Sequence, residues 1–234
     1  MYKSLFFVAF LGLVVACEKS GDNNGSTTQT PTPPVVPPSP PVVPPPAPAQ
    51  KPAAYDWDFY LEPSRLSVVK NERNAELKKL YYQVYGTPCG GWYDGVSPTK
   101  EKNEGWLKNF VEGADRAQKT PIVVLYGIPN RDCGSFSKGG HPTAASYKAW
   151  IDRVSAIIGQ RRAVVIVEPD AINYCGHKKG TQAYNERAEL LSYVGRILQK
   201  NNPNVATYIH AGNAVLTTNY PEQVANAIID GGLQ

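Results

Sequence analysis

The sequence predicts an α/β protein built on parallel β-strands. Three runs of apolar, mostly β-branched residues have the composition of strands buried on both faces, and they lie at 121–128, 163–167 and 205–209. Amphipathic helical patterns separate these runs. Alternation of strand and helix at intervals of about 40 residues is typical of a parallel sheet, which is either open or closed into a barrel.

Each element has its own signal in the sequence. A weaker apolar run at 58–61 predicts a first strand ahead of the three strong ones. The helix after the second strand has apolar residues at helical spacing, namely Tyr147, Trp150, Ile151, Val154, Ile157 and Ile158. The helix after the third strand repeats the pattern with Leu190, Leu191, Val194, Ile197 and Leu198. We expect Asn201-Asn202-Pro203 to end that helix.

Only part of the chain can fold into a domain. Of its 21 prolines, 12 lie between Pro31 and Pro52. Proline fixes φ and removes the backbone donor, so we expect an extended polyproline segment there. We interpret residues 18–54 as a disordered linker rich in Ser, Thr, Asn and Pro. Residues 55–234 are enough for one hydrophobic core.

The first 17 residues have the features of an export signal. Lys3 precedes an apolar run at 5–16, which is too short to span a bilayer and has the length of a secretory signal. The run ends in small residues before Cys17 and resembles the lipobox of bacterial lipoproteins. We therefore expect lipidation at Cys17 and an exported protein, anchored to the membrane at the cell surface or in the periplasm. The alternative is an ordinary signal peptide that contains a cysteine.

Charge and motifs exclude several classes of function. The net charge of +4 is spread along the chain, whereas nucleic-acid binding needs a concentrated basic surface. The sequence has no G-x-G-x-x-G, P-loop, G-x-S-x-G or C-x-x-C motif, and its three histidines are widely separated. We therefore expect no nucleic-acid partner, no cofactor and no metal.

Two acidic residues follow neighbouring strands. Asp132 comes after the run at 121–128, and Asp170 comes after the run at 163–167. In a parallel sheet both strand ends lie at one edge, where α/β proteins carry their chemistry. Paired carboxylates at that edge suit proton transfer at a glycosidic bond. The alternative is that the two aspartates only cap helix starts.

Three segments carry a resemblance to a known family: residues 124–134, residues 165–170, which end in Glu-Pro-Asp, and residues 147–152 between them. They resemble glycoside hydrolase family 6, the inverting cellulases that include cellobiohydrolases and endoglucanases. Residues 124–134 resemble the first signature of the family, and 165–170 resemble the second. The resemblance covers the chain from Phe59 to about Ala214. It implies a distorted seven-stranded parallel β/α barrel, of which this chain carries about the first half.

The resemblance also implies roles for individual residues. Asp170 would be the general acid that protonates the leaving oxygen, and Asp132 would be the companion carboxylate that keeps it protonated. Tyr126 would lie under the distorted sugar at the cleavage point. Trp92, within the Gly-Trp-Tyr-Asp segment that ends at Asp94, would stack on a glucose ring. The implied substrate is cellulose or a related β-1,4-glucan, bound by a monomer.

The resemblance also implies that Arg131 neutralises the negative charge of the carboxylate cluster. Cys133 and Cys175 follow neighbouring strand ends beside Asp132 and Asp170, and the family bridges these two regions. We therefore expect a disulfide between them in an exported protein. Cys89 would then stay free or pair with a cysteine outside this chain.

The first of two departures from the family lies in a motif that follows the run at 205–209, and it affects activity. Where the family has Asp-Ala-Gly-His with a nearby tryptophan, this chain has His210, Asn213 and Leu216. A cationic imidazole in place of a carboxylate would favour the ionised form of a neighbouring acid, which opposes general acid catalysis. The lost tryptophan removes a stacking platform on the leaving-group side.

The second departure is length, because the later segments of the family fall beyond Gln234. We expect the 234 residues alone to be inactive and poorly soluble, with apolar helix positions such as Leu191, Val194 and Leu198 left uncovered. The sequence therefore supports two hypotheses. The first is part of a surface-tethered β-1,4-glucanase, and the second is a glycan-binding lipoprotein without turnover.

Overall fold

The computed structural model of the chain describes residues 57–96 and 104–232. The predicted signal at 1–17, with Cys17, and the predicted linker at 18–54 lie outside the described residues. The positions expected to carry the chemistry all lie within them.

Four strands of the described residues form one parallel sheet in the order β1-β2-β3-β4. The strands are β1 (Gly91–Tyr93), β2 (Ile122–Leu125), β3 (Ala163–Val167) and β4 (Val205–Ile209). One row across the sheet shows the register, with Val123 of β2 between Gly91 of β1 and Val165 of β3, and Thr207 of β4 beyond it. The predicted α/β class with parallel strands is confirmed, and the last three strands lie where the sequence places them.

The first strand is not the predicted one. In the run at 58–61 only Phe59 forms a bridge, to Thr120, and the sheet begins instead at β1. A Cβ atom added at Gly91 would lie 2.7 Å from the Trp106 ring, so the close packing of Trp106 on the strand requires glycine. Because glycine weakens strand propensity, a three-residue strand of this kind has almost no signal in the sequence.

Helices follow each strand. In the described residues the α-helices are α1 (Ser67–Asn71), α2 (Ala75–Tyr85), α3 (Glu104–Arg116), α4 (Ala144–Ile158), α5 (Gln182–Asn201), α6 (Ala214–Asn219) and α7 (Pro221–Gly231). The helices predicted from periodicity are α4 and α5, and both are confirmed. Thr143 and Ser146 form a reciprocal capping box at the start of α4. Helix α5 ends at Asn201, as predicted.

The two faces of the sheet are covered unequally. Alternate strand residues such as Val123, Val165 and Val205 join the large core, to which α3, α4, α5 and α7 also contribute. The opposite face carries a small cluster around Val164 and Ala206, packed by Trp57, Phe59, Ile122 and Ile166. The helices therefore cover one face, and residues at the start of the described region cover part of the other.

The expectation of uncovered helix positions on α5 is wrong. Leu191, Val194 and Leu198 are fully buried in the large core. Helix α5 contacts α4 on one side and α7 on the other, so its apolar stripe is enclosed by helices and sheet without any further strand. Periodicity identified these residues as core but could not show which elements cover them. Across the described ranges, no helix has the length and apolar character to cross a membrane.

Candidate functional site

The loops that leave β2 and β3 carry the candidate carboxylates at the carboxyl edge of the sheet. Asp132 has φ of 53° and Asp170 has φ of 65°, and Cys133 next to Asp132 has φ of 50°. Non-glycine residues rarely adopt this left-handed conformation, which costs on the order of 1–3 kcal/mol each where it is strained. The surrounding packing therefore holds both loops in defined, unfavourable conformations at the place where the chemistry is predicted.

Neither aspartate serves mainly as a helix cap. Asp170 precedes the short 3₁₀ helix Ala171–Gly176, but its side chain makes no capping hydrogen bond and is 45% exposed. Asp132 is the first residue of the 3₁₀ helix Asp132–Gly134, and its Oδ2 accepts from the Ser137 backbone N–H at 2.8 Å. The capping alternative therefore does not explain Asp170, which presents an open carboxylate to solvent.

Tyr126 and Trp92 form an aromatic surface beside the carboxylates. Their ring centroids are 5.2 Å apart with the planes nearly perpendicular, and Trp92 is 45% exposed. Burial raises the pKa of Tyr126, and the negative charges of Asp132 and Asp170 raise it further. Both carboxylates are thus close enough to Tyr126 for their fields to act on it. The structure brings these four residues to one place.

Arg131 forms an ion pair with Asp94, which directly follows β1. Its Nη1 lies 3.2 Å from Asp94 Oδ2, and among the described ion pairs none joins it to Asp132 or Asp170. The same Nη1 donates to the Tyr126 carbonyl at 2.6 Å, and the guanidinium lies 4.7 Å from the Tyr126 ring centroid. Arg131 therefore ties the loop after β1 to the backbone and ring of Tyr126.

A disulfide joins Cys133 and Cys175, the two cysteines paired by the resemblance, with their Cα atoms 5.3 Å apart. It connects the loop of Asp132 with the 3₁₀ helix that follows Asp170. Cys89 is exposed and is a free thiol in this structure.

His210 lies against the loop of Asp170. Its Nδ1 accepts hydrogen bonds from the backbone N–H groups of Asp170 at 3.2 Å and Gly212 at 3.3 Å. Nδ1 also lies 3.9 Å from Asp170 Oδ1. The imidazole that replaces a carboxylate of the family is therefore in direct contact with the candidate acid and its backbone.

The other two residues of this motif, Asn213 and Leu216, have structural roles. Asn213 caps α6, since its Oδ1 accepts from the Leu216 N–H at 2.9 Å. Leu216 packs against the core and helps to line a cavity of about 400 Å³, together with Tyr174, Val224 and Ala227. Neither residue offers the flat aromatic surface that a tryptophan would supply.

Two buried residues behind the site were not assigned a role from the sequence. Glu168 directly follows β3 and is fully buried. Its carboxylate accepts from the backbone N–H of Gly127 at 2.9 Å and of Ile128 at 3.0 Å, and from Tyr147 Oη at 2.9 Å. Burial raises its pKa to about 7 against these donors and the charge of Arg187. The sequence feature that could have identified Glu168 is its position as an acidic residue directly after an apolar strand.

Arg187, on α5, is the second of these residues and is also buried. Its Nε donates to the Ala171 carbonyl at 3.0 Å, and its Nη1 donates to the Pro129 carbonyl at 3.2 Å. Nothing in the sequence distinguishes the buried Arg187 from the exposed charged residues of the same helix. Within the described ranges, no group of three or more His, Cys, Asp or Glu side chains is arranged to hold a metal ion.

A parallel sheet with paired carboxylates at its carboxyl edge places the chain among β/α proteins of the kind that includes many glycoside hydrolases. Residues 57–231 match the sequence profile of Glycosyl hydrolases family 6, and the chain belongs to that family.

Relatives of known sequence agree with this assignment. The chain is 37% identical over 122 residues to Endoglucanase A of Thermobispora bispora, which is 51% of this chain and 26% of that protein. It is 31% identical over 159 residues to Endoglucanase 1 of Streptomyces halstedii, which is 66% of this chain and 48% of that protein. The chain therefore spans half or less of the length of these two relatives.

A solved structure shows the same fold. The endoglucanase Cel6 of Mycobacterium tuberculosis, in complex with methyl-cellobiosyl-4-deoxy-4-thio-β-D-cellobioside, aligns with a TM-score of 0.64 at 32% identity. The alignment covers 76% of this chain and 59% of that chain. The four-stranded sheet is thus a partial barrel of this family's fold.

Proposed function

We propose that the protein to which this chain belongs hydrolyses β-1,4-glucosidic bonds in cellulose or a related β-glucan, with inversion at the anomeric carbon. The observation that carries the proposal is that the loops of Asp132 and Asp170 leave the neighbouring strands β2 and β3 at the carboxyl edge of the sheet and are joined by the Cys133–Cys175 disulfide, in a chain of this family. The endoglucanase names of its relatives support the substrate class.

Asp170 is proposed as the general acid. Its side chain is 45% exposed and carries no capping bond, so it is accessible to a glycosidic oxygen. Asp170 donates its proton to the leaving oxygen while a water attacks the opposite face of the sugar and gives its own proton to a general base, as in inverting glycosidases. Asp132 is the companion carboxylate of this proton transfer. Its Oδ2 is already held by the Ser137 N–H, which fixes its orientation.

The aromatic surface is proposed to hold the sugar chain. Trp92 offers an exposed ring beside Tyr126, and pyranose rings pack their apolar faces on such rings. Arg131 and Asp94 hold this surface from below, through the ion pair and the bond to the Tyr126 carbonyl. The ligand of the M. tuberculosis enzyme supports a cello-oligosaccharide in the cleft.

Asp170→Asn tests the proposal. Asparagine keeps the shape but has no proton to donate, so in the complete form of the protein turnover of a soluble cello-oligosaccharide should fall by about 10²–10⁴-fold with binding retained. Asp115→Asn is the matched control, because Asp115 is an exposed aspartate 3.5 Å from Arg161 and remote in sequence from both carboxylate loops. Turnover of Asp170→Asn within about twofold of wild type would contradict the assignment. Binding without release of reducing sugar by the wild type would favour the glycan-binding lipoprotein.

We further propose that Cys17 is lipidated and anchors the exported protein to a membrane. The small residues before Cys17 and the polar residues after it support this proposal. Cys17→Ser should leave an unprocessed precursor or move the protein out of the membrane fraction, as should globomycin for the wild type. Normal processing and membrane association of Cys17→Ser would show that the cysteine is incidental.

A further inference from the structure

Glu168 links the two carboxylate loops from inside the protein. It follows β3 and lies two residues before Asp170, while its carboxylate receives the N–H groups of Gly127 and Ile128. Gly127 and Ile128 begin the loop that carries Asp132. A single buried side chain thus fixes the start of one loop against the start of the other.

Arg187 links the same two loops at a second level. Its guanidinium donates to the carbonyl of Pro129, three residues before Asp132, and to that of Ala171, directly after Asp170. The guanidinium is planar and its donors have a fixed spacing, so these two bonds set the distance between the two carbonyls. Arg187 comes from α5 and belongs to neither loop.

The disulfide closes the arrangement on the solvent side. Cys133 directly follows Asp132, and Cys175 lies in the 3₁₀ helix Ala171–Gly176 that follows Asp170. The candidate carboxylates therefore lie between a covalent link at the surface and two buried polar links below.

We propose that Glu168 and Arg187 are positioning residues that together fix the loop of Asp132 relative to the loop of Asp170. This proposal rests on the proposed function, since it concerns the geometry of the same reaction. Neither side chain reaches solvent to touch a substrate, so each acts through the loop backbones. Proton transfer depends on this geometry, and a displacement of about 1 Å can cost about 10²-fold in rate.

Conservative variants separate positioning from folding. In Glu168→Gln the amide oxygen can still accept from the backbone N–H groups while the NH₂ group donates to Tyr147, but the second acceptor is lost. Arg187→Lys keeps the charge and loses the fork that spans Pro129 and Ala171. Tyr147→Phe is a milder third variant, because it removes only one donor to Glu168.

The matched controls are Glu189→Gln and Arg196→Lys. These residues lie on α5 and form an ion pair of 2.9 Å, with about half of each side chain exposed. They therefore repeat the two chemical changes, Glu to Gln and Arg to Lys, at exposed positions without contact to either loop. Arg196 lies on the same helix as Arg187. Thermal unfolding followed by circular dichroism shows which variants are folded at the assay temperature.

Two readouts are taken on each folded variant. The first is kcat and KM on a soluble cello-oligosaccharide, measured on the complete protein to which this chain belongs. The second is the effective concentration of the Cys133 and Cys175 thiols, measured from the disulfide equilibrium in glutathione buffers. This quantity reports how well the fold holds the two loops together, and it does not depend on catalysis.

The positioning variants should lose kcat by about 10²-fold with KM within about twofold of wild type. Their thiol effective concentration should fall by about tenfold, because the loops are no longer held in register. Both controls should match the wild type in both readouts.

Either of two results would overturn the proposal. One is an unchanged thiol effective concentration in folded variants of Glu168 and Arg187, whatever their activity. The other is a lower effective concentration with wild-type kcat, which would show that loop placement does not limit the reaction. A complete wild-type protein without hydrolysis contradicts the proposed function instead, and the thiol measurement then decides alone whether the two residues fix the loops.

Discussion

The pH dependence of stability offers a direct test of the electrostatics behind the site. Burial raises the pKa of Glu168 from 4.5 to about 7 in the folded protein. The backbone N–H groups of Ile128 and Gly127, the Tyr147 hydroxyl and the charge of Arg187 oppose this shift. The perturbation is Glu168→Gln, which removes the titrating group while preserving the size of the side chain.

The sign and size follow from proton linkage. Between pH 4.5 and 7 the folded state binds a proton at Glu168 that the unfolded state has released, so stability decreases as pH rises. The contribution is fully present below pH 4.5 and is lost as pH approaches about 7. A shift from 4.5 to about 7 corresponds to about 3 kcal/mol, at 1.36 kcal/mol per pKa unit.

A second group, His141, changes stability with pH in the opposite direction. The pH dependence of the wild type alone therefore does not report on Glu168. Burial lowers the pKa of His141, and the stability from its neutral form is lost as pH falls below its unfolded value of 6.5. His141 is present in both proteins, and its effect cancels in the difference between wild type and Glu168→Gln. That difference isolates Glu168.

The assay is urea unfolding of both proteins from pH 4 to pH 8 at fixed ionic strength. The free energy of unfolding of the wild type minus that of Glu168→Gln should decrease by about 3 kcal/mol over this range. Glu186→Gln is the matched control, since Glu186 is an exposed glutamate on α5. A difference that stays constant within about 0.5 kcal/mol would refute the reasoning, because the hydrogen-bond donors and Arg187 would then cancel the effect of burial on the pKa of Glu168.

Two further predictions concern the surface of the site. Trp92→Ala should weaken cello-oligosaccharide affinity in calorimetric titration by about two- to tenfold, the value of one aromatic contact, whereas Tyr82→Ala on exposed α2 should not. Equal effects of the two variants would contradict a specific platform. Cys175→Ser should lower the free energy of unfolding by about 4 kcal/mol, because the disulfide closes a loop over a separation of 42 residues. Cys89→Ser should leave it unchanged, and a Cys175→Ser protein as stable as wild type would refute this.

Much of the fold could be predicted from local patterns. Strands β2, β3 and β4 were visible because buried parallel strands are continuous apolar runs, and α4 and α5 because one face of each is buried. The order of these elements placed Asp132 and Asp170 at the same edge of the sheet. The resemblance supplied the pairing of Cys133 with Cys175, which position in the chain alone leaves open.

Other features required the folded chain. Strand β1 begins at Gly91, which leaves room for the Trp106 ring, and glycine in a sequence predicts turns more readily than strands. Arg131 was predicted to neutralise the carboxylate cluster, and its ion pair with Asp94 became visible only once the fold brought the loop after β1 next to it. The sequence likewise could not show that α7 packs on α5 and covers part of its apolar face.

Local patterns were enough to identify strands β2, β3 and β4, the apolar faces of α4 and α5 and the acids that follow the strands, because periodicity records burial along one chain segment. Contacts between side chains on segments about 40 residues apart could be established only from the folded chain. The Nδ1 of His210 accepts from the backbone N–H groups of Asp170 and Gly212 because these two groups converge on it in the fold. Glu168 and Arg187 join the two carboxylate loops because burial compels each polar group to find a partner. Such pairing depends on the three-dimensional position of the backbone, which no local pattern contains.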